Sequence, residues 1–291
     1  MQSVAEYFYL KGDKDAMSLL DYVKALKVPL YFTSIAPVLV GWSIMHWRFT
    51  YIIALLFIVV VTMQAALNIS MDYFDNMNGR RLKNADTFYP IGSYFIEKMG
   101  VKPEKLRKSF MILTAIAVVT GLFTVYITRN IILLYLGLTA VFLSLLYVIP
   151  PFKLGARGIG EIATFFSFGP FPLLGTVIAL GGAVTREYVF LSVSLGLLAS
   201  AIRFLHHIPE DRINGNRVKN FRTIYGVMTL GAAIIVLPFR IMIIPSLVLF
   251  FLTLIQISFL PRNIIKISRQ TNIIVGLHFL FTVLVIIALS L

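Results

Sequence analysis

Apolar residues run along this chain in blocks of about 20, too long for strands and lacking the charged stripe of a soluble amphipathic helix. Nine such blocks occur, at 28–47, 51–71, 109–127, 131–149, 161–180, 188–205, 223–239, 241–260 and 272–291. Each is of the length that crosses a hydrocarbon core of about 30 Å as a helix. The connections alternate. Tight links such as Arg48 to Thr50 and Thr128 to Asn130 face one way, and long polar segments such as Asp72 to Lys108 face the other. The pattern predicts an all-α integral membrane protein of nine transmembrane helices, with 28–291 as one transmembrane domain behind a polar N-terminal segment, 1–27.

Composition agrees with the pattern. The chain is 58% hydrophobic and 13% charged, against about 45–50% and about 25% in soluble domains. Cysteine is absent, which excludes disulfides, thiolate metal sites and cysteine nucleophiles. The first 27 residues mix Glu6, Asp13, Asp15 and Asp21 with Lys11, Lys14, Lys24 and Lys27, so no cleaved signal peptide is expected.

Charge sharpens the topology. The formal net charge is +13, and 22 of the 26 Lys and Arg residues fall on the long-loop side. By the positive-inside rule, the N-terminus and the long loops are cytoplasmic and Leu291 is outside, in a multi-pass protein of the cell membrane. Orientation and contact with anionic membrane lipid account for much of this basic charge, with no need for nucleic acid as a partner. They do not account for the acids: 12 of the 13 carboxylates lie on the same side, although acids contribute little to orientation.

Those acids carry the candidate chemistry. At the end of the second block, Asn68, Asp72 and Asp75 stand at i, i+4 and i+7, one face of a helix. Acids near a membrane are functional by default, and Mg²⁺ takes one or two carboxylates and completes its shell with water and substrate phosphates. Arg80, Arg81 and Lys83 follow directly and suit neutralisation of a diphosphate, with topogenic charge as the alternative. A second polar cluster runs from Arg203 through His206, His207, Glu210, Asp211, Asn214 and Arg217 to Lys219. Adjacent histidines point about 100° apart and poorly suit one metal ion. Glu210 and Asn214, at i and i+4, form a better second oxygen pair, with Asp211 as a further metal ligand and Arg217 and Lys219 as substrate-binding cations. Lys24 and Lys27 precede Pro29, where a cation faces the same pocket or snorkels to headgroups. Lys153, a further candidate substrate-binding cation, and Glu161 flank a loop rich in Gly and Pro, which alone would read as an ordinary helix-to-helix connection.

At these residues the sequence resembles the UbiA superfamily of intramembrane prenyltransferases, and most of all its dihydroxynaphthoate prenyltransferases of menaquinone synthesis. Lys27-Val-Pro29 with Ala36-Pro37 to Gly41 is similar to the family's opening helix, and Asn68-x-x-x-Asp72-Tyr-Phe-Asp75-x-x-x-Gly79 to its first aspartate motif. Gly100 to Arg107, Tyr147 to Glu161 and Leu277-His278 fit as well. Where the family shows Asp-x-x-x-Asp in a second motif, this chain has Glu210-x-x-x-Asn214.

The resemblance implies nine helices around a central cavity, with two acidic loops holding Mg²⁺ and a polyprenyl diphosphate. It further implies attack by an aromatic or lipid acceptor on the allylic cation formed when the diphosphate ionises. Asn68, Asp72 and Asp75 would then hold metal and diphosphate, with Asp72, Asp75, Glu210 and Asn214 as the catalytic set. Two other readings stay open: a non-catalytic isoprenoid- or quinone-binding member of the same fold, prompted by the second motif, and a transporter.

Overall fold

The computed structural model describes residues 18–83, 88–149, 152–156, 159–208, 219–261, 266–267 and 269–291. The protein is an all-α membrane protein, and among the described residues the lone β feature is the antiparallel bridge Lys83–Ile91.

Helix α1, Leu19–Ala25, opens on a capping box in which the Ser18 hydroxyl accepts the Asp21 N–H and the Asp21 carboxylate accepts the Ser18 N–H. It stops at Lys27, whose φ of 53° is left-handed, and Pro29 at the start of a 3-10 turn (Val28–Leu30) fixes a 50° bend into α2, Tyr31–Ile44. The bend decides where Lys27 goes. At the bend its side chain is buried.

Helix α3, Tyr51–Met77, has 27 residues. At 1.5 Å per residue it is about 40 Å long, so its last turns outrun a core of about 30 Å. Those turns bear Asn68, Asp72 and Asp75. The segment after it folds back through the Lys83–Ile91 bridge and the short helix α4, Tyr94–Glu97. Helices α5, Pro103–Thr128, and α6, Ile131–Val148, follow, with α5 lying along α3 and presenting most of its apolar surface outward.

The next span is broken. Helix α7, Gly160–Ser167, meets α8, Pro170–Ala179, at Phe168 and Gly169. A Cβ on Gly169 would collide with backbone of Ser192 and Gly196, so the missing side chain lets the break press against α9, Arg186–His207. Helix α9 is the central one: 72% of its apolar window is buried, against 11% for α5. Its Ser, Ala and Gly positions admit the neighbouring helices closely, and Ser194 donates to the Ala232 carbonyl at 2.7 Å. Helices α10, Phe221–Val236, α11, Ile243–Ser258, and α12, Thr271–Ser290, complete the described chain.

All nine predicted apolar blocks are helical at least in large part, but the count of nine spans is not met outright. Seven helices are long and apolar enough to cross a membrane, and an eighth is added if the bent α1–α2 pair is one span. Helix α10 has 16 residues, about 24 Å, short of the core thickness. Its predicted block ran through residue 239, and the helix ends at Val236, two residues ahead of Pro238.

Candidate functional site

Where α1–α2, α3, α6, α7 and α9 converge there is an open cavity of about 750 Å³. Lys27, Asn68, Tyr147, Arg203, His206 and His207 supply its polar wall. It shares Gln64, Leu67, Ser144, Ser167 and Phe168 with a second, larger hollow of about 1260 Å³, lined chiefly by aliphatic residues of α3, α5, α6 and α8. The two adjoin across these five residues, the first with a polar wall and the second lined chiefly by apolar side chains.

On the α3 side, Asn68 lines the cavity and donates its amide to the Leu26 carbonyl at 2.7 Å, which ties the helix to the bend that buries Lys27. Asp72, one turn on, is 1% exposed. Its carboxylate accepts the Phe95 N–H at 3.0 Å, so it fastens the α4 segment to the end of α3. That segment is held again where Tyr94 donates its phenol to Asp21 of α1 at 2.8 Å. Burial first, and then the hydrogen bond to Asp21, push the Tyr94 phenol up to about 12. Asp75 turns toward Arg80, with Nη1 to Oδ1 at 3.5 Å. Lys153 shares this electrostatic neighbourhood: burial and then the Arg80 cation hold its ammonium below the usual lysine range, and Asp75 acts the other way.

The α9 side is closed on itself. Arg203 ion-pairs with Glu161 at 2.5 Å, donates to the Gly155 carbonyl at 2.5 Å and to the Tyr147 hydroxyl at 2.9 Å, and lies 5.4 Å from the Tyr147 ring centre. Ser200 donates to the Glu161 carbonyl at 2.9 Å. A Cβ on Gly160 would overlap the guanidinium, so glycine there makes room for the pair.

The sequence-predicted residues therefore separate into groups. Lys27 and Asn68 line the cavity; Asp72 sits behind Asn68, next to the α4 backbone; Asp75, Arg80 and Lys153 cluster beyond it at the helix end. Lys24 lies half-buried in the last turn of α1, and Arg81 and Lys219 are exposed. Glu210, Asp211, Asn214 and Arg217 lie outside the described residues. Sequence reasoning passed over Arg203 and Tyr147 as site residues. The available signal was an arginine near the end of an apolar block facing, 42 residues back, an acid at the start of another.

Among the described residues no cluster of three or more His, Cys, Asp or Glu side chains forms. Asp72 and Asp75 are nevertheless close enough for their charges to interact, one turn apart at the end of α3 behind the cavity wall that Asn68 supplies. One or two carboxylates completed by phosphate oxygens and water is the usual Mg²⁺ arrangement, so these two fit the ion in company with a diphosphate.

No family model matches the sequence. The chain is 23% identical over 205 residues to a 2-carboxy-1,4-naphthoquinone phytyltransferase from Synechocystis, covering 67% of this chain and 64% of that protein. It is 25% identical over 200 residues to the chloroplastic 2-carboxy-1,4-naphthoquinone phytyltransferase of Arabidopsis thaliana, covering 64% of this chain and 50% of that one. It thus spans less than two thirds of the length of these relatives. Among solved structures, a UbiA homolog from Archaeoglobus fulgidus superimposes with a TM-score of 0.61 at 13% identity, over 93% of this chain and 100% of that one. The same homolog bound to DMAPP and Mg²⁺ gives 0.59 at 13% identity, over 91% and 99%.

Proposed function

We propose that this chain, whose fold is that of the UbiA superfamily and whose sequence is similar to naphthoquinone phytyltransferases, is an intramembrane prenyltransferase. It moves a polyprenyl group from its diphosphate to an aromatic acceptor, with a bicyclic naphthoate as the leading candidate. The observation that carries this reading is a polar, cationic cavity set directly against a larger apolar hollow. A prenyl diphosphate has that same division.

In this reading the tail lies in the apolar hollow, where hydrocarbon replaces water at no polar cost. Lys27, Arg80 and Lys153 attract the diphosphate, and Asn68 offers it a polar edge. Asp72 and Asp75 would hold Mg²⁺, which would supply charge neutralisation to the leaving diphosphate. The C1–O bond of the allylic diphosphate breaks, inorganic diphosphate leaves, and a carbon of the acceptor ring bonds to C1. That ring carbon then gives up the group it held, a proton or carbon dioxide. The apolar walls keep water from the allylic cation. The N-terminus and the long basic loops lie on the cytoplasmic side of the cell membrane, which delivers both charged substrates from water.

Purified protein incubated with radiolabelled geranylgeranyl diphosphate and 1,4-dihydroxy-2-naphthoate, with and without Mg²⁺, tests the reading. A lipid-soluble, Mg²⁺-dependent product is expected. Tight binding of the diphosphate with no product across a panel of aromatic and lipid-alcohol acceptors would replace it with the non-catalytic reading that Glu210-x-x-x-Asn214 prompts.

A further inference from the structure

The polar atoms around the cavity are almost all occupied. Thr33 donates to the Leu30 carbonyl at 2.6 Å, Ser144 to Ala140 at 2.8 Å and Thr164 to Gly160 at 3.0 Å, each within its own stretch of chain. Gln64 donates to the Leu30 carbonyl at 3.1 Å and accepts from Ser34. Asn68 is held by Leu26, and Arg203 by Glu161, Tyr147 and Gly155. Among the described residues, the buried side-chain polar atom of the lining that has no hydrogen-bond partner is Nε2 of His206. That residue is 3% exposed. A buried polar atom without a partner is costly to maintain and asks for an explanation.

Its setting says what kind of partner fits. The His206 ring meets the Tyr89 ring edge-on, with centres 5.7 Å apart, and the His207 ring at 4.5 Å. Tyr147 and Phe168 line the same cavity. Planar side chains gathered at the polar end of an otherwise aliphatic hollow suit a flat ring. An imidazole makes a single directed hydrogen bond from each nitrogen, which suits one ring oxygen better than a multiply charged diphosphate. Lys27 is near enough to His206 for their charges to interact, so a ring anchored there would lie beside the donor's reacting end.

We propose that Nε2 of His206 is the hydrogen-bonding point for a ring oxygen of the aromatic acceptor, an assignment that rests on the transferase reading. His206 is then a residue for acceptor recognition, distinct from the groups that hold the donor.

The test separates binding from turnover. Full-length wild type, His206→Gln and His206→Phe in detergent micelles are titrated with 1,4-dihydroxy-2-naphthoate by fluorescence and with radiolabelled geranylgeranyl diphosphate by equilibrium dialysis, alongside initial rates. In His206→Phe the acceptor Kd and KM should rise about tenfold or more while the diphosphate Kd stays within about twofold, the size expected for losing one buried hydrogen bond. His206→Gln, which keeps a polar tip, should recover most of the loss; a residue with only a packing role would show no such recovery. Equal acceptor affinity in all three proteins, a parallel loss of diphosphate affinity, or no acceptor binding by wild type would each overturn the assignment. If wild type binds the acceptor but yields no product, the transferase reading fails while the His206 contact is still decided by the titrations.

Discussion

The two polar ends that meet at the cavity are built in opposite ways. At the end of α9, Arg203 is enclosed by Glu161, Tyr147 and the Gly155 carbonyl, and its charge is answered within the protein. At the end of α3, the ion pair of Asp75 with Arg80 is longer, at 3.5 Å, and Arg80 is 37% exposed. A closed network of this kind fixes helices against one another. Arg203 is thus tied into the helix packing, and the proposed function draws on Lys27, Asn68, Asp72, Asp75, Arg80 and Lys153 for the diphosphate and its metal.

The largest effect should come from breaking the closed end. Removing one partner of a buried ion pair typically costs about 3–5 kcal/mol, because the other charge is left uncompensated. Glu161→Ala should therefore lower the thermal midpoint of unfolding in detergent markedly, and Glu161→Met combined with Arg203→Met should recover much of it. A double variant as unstable as the single one would show that the network does more than satisfy itself.

Next comes the open end. Asp72→Asn should reduce transfer by about a hundredfold or more, on the scale of lost transition-state electrostatics, with the gel-filtration profile retained. Rates near wild type from this variant and from Asp75→Asn would remove both from the donor site.

The apolar hollow offers a graded test. A side chain at Gly175 would enter open space in its lining, so Gly175→Leu should lower the rate with geranylgeranyl diphosphate by about tenfold relative to geranyl diphosphate, a few methylene groups of lost burial. Equal losses on both donors would place the tail elsewhere.

The smallest effect is in pH. Because the Lys153 ammonium is held below the usual lysine range, it gives up its proton earlier than an exposed lysine as pH rises. Diphosphate affinity should accordingly weaken a few-fold on approaching about pH 10 in wild type and less in Lys153→Arg, whose guanidinium stays charged. Identical profiles would take Lys153 out of the donor site.

The fold was largely legible because apolar block length is a direct reading of bilayer thickness. What escaped it was local: the Lys27 bend and the Phe168–Gly169 break depend on backbone conformations that Pro29 and Pro170 only hint at. In the site, Asn68, Asp72 and Asp75 stood out by helical spacing, but spacing does not say which atom each one meets. Asp72 is engaged by a backbone N–H of Phe95, 23 residues on. Arg203 and Glu161 are 42 residues apart, and their pairing depends on how α7 packs against α9, which no local pattern encodes.

The most direct test is a cryo-electron microscopy structure of the protein with Mg²⁺ and geranylgeranyl thiolodiphosphate, which ionises too slowly to react. The diphosphate is expected between Lys27, Asn68 and the Asp72–Asp75 turn, with the prenyl chain running past Gln64 and Ser144 into the apolar hollow. A diphosphate bound away from the end of α3, or a chain lying outside that hollow, would contradict this arrangement.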